Sequence, residues 1–222
     1  KVALYDANGT KQMLQHDGEL LSDVLNVTEK DQVFEFHGIY GRPIPALLCD
    51  FSAPVKLDYD YKTEQLLGLL KFADNQFIRW DAAQMLFAQE LRRNVMRFQQ
   101  GEALEISPEM LTALSHVLNH YEKDIELATL ILTLPKEMEF AEGFKTIDPD
   151  GISAARAFIQ AQIAETLKDD FLRVYTHIRL DDYQVTQQDI ALRAMRNLCL
   201  TYLAYTNLGN NLVQKHYNNA NN

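Results

Sequence analysis

Apolar and polar residues follow one period over the first fifty positions and another from about residue 63 onward. Val2-Ala3-Leu4-Tyr5 and Gln12-Met13-Leu14 flank Ala7-Asn8-Gly9-Thr10, and an Asn-Gly pair between two short β-type runs predicts a hairpin. Val24 to Val27 and Val33 to Phe36 read as two further strands, the second alternating apolar and polar as a half-buried strand does. Pro43 and Pro45 interrupt the next stretch, leaving Ala46-Leu47-Leu48-Cys49 as a last short strand. So few strands bury a sheet poorly, and the pattern implies the tail of a β-sandwich whose other strands lie upstream.

Phe51 to Val55 reads as a connector, after which the period becomes helical. Trp80, Ala83, Phe87, Leu91, Val95 and Phe98 recur every three or four residues, which predicts one long helix with these side chains on its buried face. Ile152, Ala155, Ile159, Ile163, Leu167, Phe171, Val174 and Ile178 form a second stripe, and Ile190, Ala194, Leu198, Tyr202 and Tyr205 a third. Ser107-Pro108 and Asp148-Pro149 each place a capping side chain before a proline at the first helical position, and Thr186 is placed to cap the third stripe. Leu134-Pro135 divides two shorter helical pieces, the first carrying Ile125, Ala128, Ile131 and Leu132. The expected fold is mainly α: a β-sandwich remnant over residues 1–55, then five to seven antiparallel helices stacked as hairpins over 56–222.

Composition narrows the function classes. A hydrophobic fraction of 47% supplies a normal core, and no apolar run reaches the roughly 18 residues of a membrane-spanning helix. Twenty-one basic against thirty-one acidic residues give a net charge of −10, a field that repels nucleic acid and anionic membranes. Cys49 and Cys199 lie far apart among apolar neighbours, which reads as two buried free thiols in a reducing, cytoplasmic setting, with a long-range disulfide as the lesser alternative.

A search for chemistry finds no catalytic, cofactor-binding or metal residue to assign. His116 and His120 are the one histidine pair at i, i+4, with Glu122 and Asp124 nearby as further donors. Val117 occupies the place where a zinc peptidase carries its glutamate base, so the pair reads as two solvated histidines at a helix end. Neither cysteine has a histidine beside it, and the nine glycines form no phosphate loop. Asp169-Asp170 and Asp181-Asp182 are sequence neighbours pointing about 100° apart on a helix, which suits an acidic face better than an acid/base pair. Trp80, the single tryptophan, falls on the apolar stripe and reads as a core anchor.

Longer stretches carry more. Pro43-Ile44-Pro45-Ala46-Leu47-Leu48-Cys49-Asp50-Phe51-Ser52-Ala53-Pro54-Val55 resembles the junction between the β-sandwich and helical domains of the aminopeptidase N family of zinc metallopeptidases. The resemblance continues through Ser22 to Thr28, Arg79 to Gln84, Ile131 to Pro135, Ile147 to Pro149, Arg196 to Leu200 and His216 to Asn222, and so covers essentially the whole chain. It implies an armadillo- or HEAT-like helical domain and a parent enzyme that removes N-terminal residues from peptides with one zinc ion. That ion, its His-Glu-x-x-His motif and the Gly-x-Met-Glu-Asn motif would lie in a separate catalytic domain of the same parent, which is the partner this segment would pack against. A free-standing helical-repeat interaction module is the alternative, and a metal-binding protein using His116 and His120 a third.

Overall fold

The structure, a computed structural model, describes residues 1–179 and 184–219. Two compact units divide the chain, Lys1–Met85 and Leu86–Asn222. Nine α-helices and five short strands occur among the described residues, so the mainly α expectation with a small N-terminal sheet is met.

In the first unit, strand β1 (Val2–Tyr5) lies between β2 (Lys11–Gln12) and, later in the chain, β5 (Ile44–Leu47), both antiparallel to it. The predicted hairpin pairs Leu4 with Gln12 and Tyr5 with Lys11. Its loop is closed by Asp6, whose Oδ1 accepts from the amides of Asn8 (2.9 Å) and Thr10 (2.8 Å), while Gly9 supplies φ +84°. Strands β3 (Gln15–His16) and β4 (Glu19–Leu20) form a second small hairpin. The strand expected over 46–49 starts two residues earlier and includes Pro45. That position is tolerated because β5 is an edge strand of the three-stranded sheet.

Two expected strands are absent. Residues 21–43 form no strand, and Val24, Val27 and Val33 are exposed, Val33 by 92%. Alternation makes a strand only when a neighbour completes the ladder and a core takes the apolar face. Here the segment is tied instead by single bonds, among them Val2 N to Asp23 O (2.8 Å), His37 N to Gln15 O (2.8 Å) and Tyr40 N to Gln12 Oε1 (2.7 Å).

After a 3-10 turn at Cys49–Phe51 and a connector without helix or strand, helix α1 (Thr63–Phe72) buries Leu66, Leu69 and Leu70 and packs on β5. Tyr61 donates its hydroxyl to Pro45 O (2.9 Å), and Tyr5 donates to the carboxylate of Asp74, which also pairs with Lys11 (2.9 Å). Helix α2 (Gln76–Gln99) begins here with Asn75 Oδ1 accepting from Ile78 N (3.1 Å), an N-cap arrangement. Ile78, Ala82 and Ala83 are buried, but Trp80 is only half-buried, its ring 5.8 Å from that of Phe77.

The second unit holds the rest of α2, then α3 (Pro108–Asn119), α4 (Ile125–Leu132), α5 (Glu137–Ala141), α6 (Pro149–Thr166), α7 (Lys168–His177), α8 (Gln187–Leu203) and α9 (Gly209–Asn218). Helix α8 is the hub, packing on α4, α6, α7 and α9. Tyr202 stacks on Phe171 of α7 at 4.5 Å and 15°, and its hydroxyl donates to the last carbonyl of α4, Leu132 O, at 2.7 Å. One fully buried side chain thus joins three helices and satisfies an orphan helix-end acceptor. The Ile152 to Ile178 stripe is buried throughout, although the helix breaks at Leu167 between α6 and α7.

On α2 the buried stripe keeps Phe87, Leu91 and Val95 but ends there, since Phe98 is exposed. The polar pair Glu90 and Asn94 shares that buried face. Asn94 exchanges hydrogen bonds with the Glu105 backbone (2.7 and 2.9 Å), fastening the loop that leads to α3. Ser107 does not cap α3 with its side chain; its amide donates to Glu90 Oε1 (3.3 Å) instead. Asp148 and Thr186 do cap, accepting from Gly151 N (3.0 Å) and Asp189 N (3.1 Å). On α8 the buried residues are Ala191, Met195, Cys199, Tyr202 and Leu203, one position on from the expected Ile190, Ala194 and Leu198. Ile190, Ala194 and Tyr205 are exposed.

Candidate functional site

The histidine pair His116–His120 sits at the end of α3, exposed, with ring centroids 4.3 Å apart and His120 Nδ1 2.8 Å from His116 O. The two acidic side chains near it are engaged elsewhere. Glu122 lies 3.5 Å from His177 Nε2, and Asp124 caps α4 by accepting from Leu127 N (3.0 Å). The four residues are therefore not gathered around one point.

Asp170 accepts from Ser115 Oγ (3.2 Å) and Asn119 Nδ2 (3.1 Å), so it ties α7 to α3. Asp169 beside it is exposed, and Asp181-Asp182 lies outside the described residues. Both cysteines are free and buried, and burial raises both thiols, Cys199 to about 12. Thiols held that high stay protonated near neutrality and are poor nucleophiles. Asp81 has its carboxyl raised by burial alone.

One grouping escapes the sequence reading. His16, Glu35 and His37 each place a ligand-type atom within 4.8 Å of the others, the one such trio among the described residues. Its frame is the β3–β4 hairpin, whose turn residues Asp17 and Gly18 both have positive φ (48° and 83°), the backbone of a type I′ turn. That turn presents His16 and Asp17, and His37 N bonds to Gln15 O alongside. Glu35 and His37 are two apart in the chain and meet through their side chains. The imidazoles lie 4.3 Å apart; His37 Nε2 is 3.5 Å from Glu35 Oε1, and His37 Nδ1 is 3.1 Å from Asp17 Oδ1. The available signals were the Asp17-Gly18 turn and the Glu35-x-His37 spacing, but nothing in the sequence brings residue 16 to residue 37.

None of the six histidines is followed by glutamate. No described helix is long and apolar enough to cross a membrane.

Comparison with known proteins matches two stretches of the chain. Residues 1–60 match the family model described as "Domain of unknown function (DUF3458) Ig-like fold", and residues 63–222 the one described as "Domain of unknown function (DUF3458_C) ARM repeats". Over all 222 residues the chain is 96% identical to aminopeptidase N of Haemophilus influenzae. It is 43% identical to aminopeptidase N of Escherichia coli, aligned over 223 positions. It spans about a quarter (26%) of the length of each. A solved structure of Legionella pneumophila aminopeptidase A in complex with aspartic acid superposes with TM-score 0.76 at 27% identity, covering 98% of this chain and 25% of that one. The chain belongs to the aminopeptidase N family, matching it over an Ig-like region followed by ARM repeats.

Proposed function

We propose that this chain is a non-catalytic portion of a zinc aminopeptidase that removes N-terminal residues from peptides. In this reading it packs on the catalytic domain of the same parent protein and shapes and gates its active-site cavity. The observation that carries the reading is the 96% identity to aminopeptidase N along the whole chain, combined with a sequence that holds no His-Glu pair. Zinc and the peptide-cleaving residues then belong to the other part of the parent.

A stack of helices with a rigid, aromatic-pinned centre suits a wall. It limits what enters a cleft and keeps bulk water from the reacting groups, which strengthens electrostatic interactions there. The net charge of −10 favours substrates bearing a free ammonium group. Two buried free thiols support a cytoplasmic setting.

Expressing the remainder of the parent polypeptide with and without this chain tests the proposal. The chain should co-purify with it in equal amount and lower cleavage of long peptides relative to short aminoacyl amides. Unchanged length selectivity, or failure of the two parts to associate, would contradict the gating role.

A further inference from the structure

We propose that His16, Glu35 and His37 form a binding site for a late first-row divalent metal ion, with Zn²⁺ the best fit, and that Asp17 orients His37 in it. The donor set selects the metal class. Two imidazoles and one carboxylate suit zinc and its neighbours, whereas Ca²⁺ and Mg²⁺ favour all-oxygen sets. Three protein ligands leave a fourth position of a tetrahedral site for water.

Spacing agrees with that chemistry. The three donor atoms lie within 4.8 Å of one another. Ligand atoms about 2.0–2.2 Å from a tetrahedral zinc stand roughly 3.3–3.6 Å apart, and the 3.5 Å between His37 Nε2 and Glu35 Oε1 falls in this range. Contraction of the rest of the trio is a side-chain adjustment at half-buried and exposed positions.

Asp17 supplies the second argument. His37 Nδ1 faces both the Asp17 amide (3.2 Å) and Asp17 Oδ1 (3.1 Å). When Nδ1 is bare it accepts from the amide, and Nε2 carries the proton. When Nδ1 carries the proton it donates to the carboxylate, which frees the Nε2 lone pair toward Glu35. The second state is the carboxylate–histidine–metal relay that fixes tautomer and ring orientation in zinc sites. A metal would select it.

The site also has structural work to do. Residues 21–43 lack strand pairing, and Val24, Val27 and Val33 are exposed. A metal on His16, Glu35 and His37 would tie this segment to the β3–β4 hairpin.

The test is titration of the 222-residue chain with Zn²⁺ by calorimetry and with Co²⁺ by visible absorption, alongside hydrogen exchange of residues 24–37. One saturable site is expected, with tetrahedral cobalt bands and slowed exchange in that segment. His37→Ala and His16→Ala should each abolish it, and Asp17→Asn should weaken it about 10- to 100-fold. The double variant His116→Ala/His120→Ala should bind as the parent does. Unchanged circular dichroism in every variant separates lost ligands from lost fold. No saturable binding up to millimolar metal, or binding that survives His37→Ala, would overturn the proposal.

Discussion

Trp80 and Phe87 sit two turns apart on α2 and illustrate how much burial decides. Phe87 is fully buried, whereas Trp80 is half-buried against Phe77. Phe87→Ala removes a packed ring and leaves a cavity, so it should cost about 3–5 kcal/mol. Trp80→Ala should cost clearly less, because part of its surface is already in water. Urea denaturation read at both sites checks the order; a larger loss at Trp80 would contradict the packing described. Asp81, next to Trp80, gives a pH prediction. Burial holds its carboxyl above the ordinary carboxylate value, so the ionised form is penalised in the folded state. Its contribution is full below the unfolded value and is lost as pH rises through the folded one. Asp81→Asn should therefore raise the melting temperature at pH 7, with the gain shrinking as pH approaches 4. A gain that is constant across pH would show that charge is not the cause.

At the scale of elements, local chemistry made some features legible and left others open. Asp148 and Thr186 cap as their sequence context predicts, but Ser107, which like Asp148 stands before a proline, does not. There the Ser107 amide, and not its hydroxyl, is engaged, donating to Glu90, a buried carboxylate seventeen residues away. Thr186→Ala should consequently cost about 1 kcal/mol, and Ser107→Ala less than half that, by chemical denaturation. Helix existence was legible wherever an apolar stripe was long. Register was less so: on α8, two stripes one residue apart satisfy the same period, and four neighbouring helices choose Ala191, Met195 and Cys199. The strands expected near Val24 and Val33 failed for the complementary reason, since a strand depends on partners that sequence alternation does not supply. The His16–Glu35–His37 group was hidden in the same way, being assembled by a loop return and not by spacing.

For the whole molecule, the mainly helical fold with a small N-terminal sheet was readable from the change of period. The chain is divided into compact units after Met85, inside α2, whereas one family model ends at residue 60 and the next begins at 63. A helix can begin in one packing unit and end in another without any break in its pattern, so periodicity is blind to that boundary. Tyr202 joins three helices, Asp148 and Thr186 cap α6 and α8, and burial raises both thiols, features that suit the scaffold role proposed above. The claim that its function is structural and not catalytic is tested most directly by assaying the purified 222-residue chain on aminoacyl chromogenic amides with added zinc. We predict no hydrolysis above the buffer rate at any protein concentration. Turnover that scales with this chain and survives repurification would contradict the account.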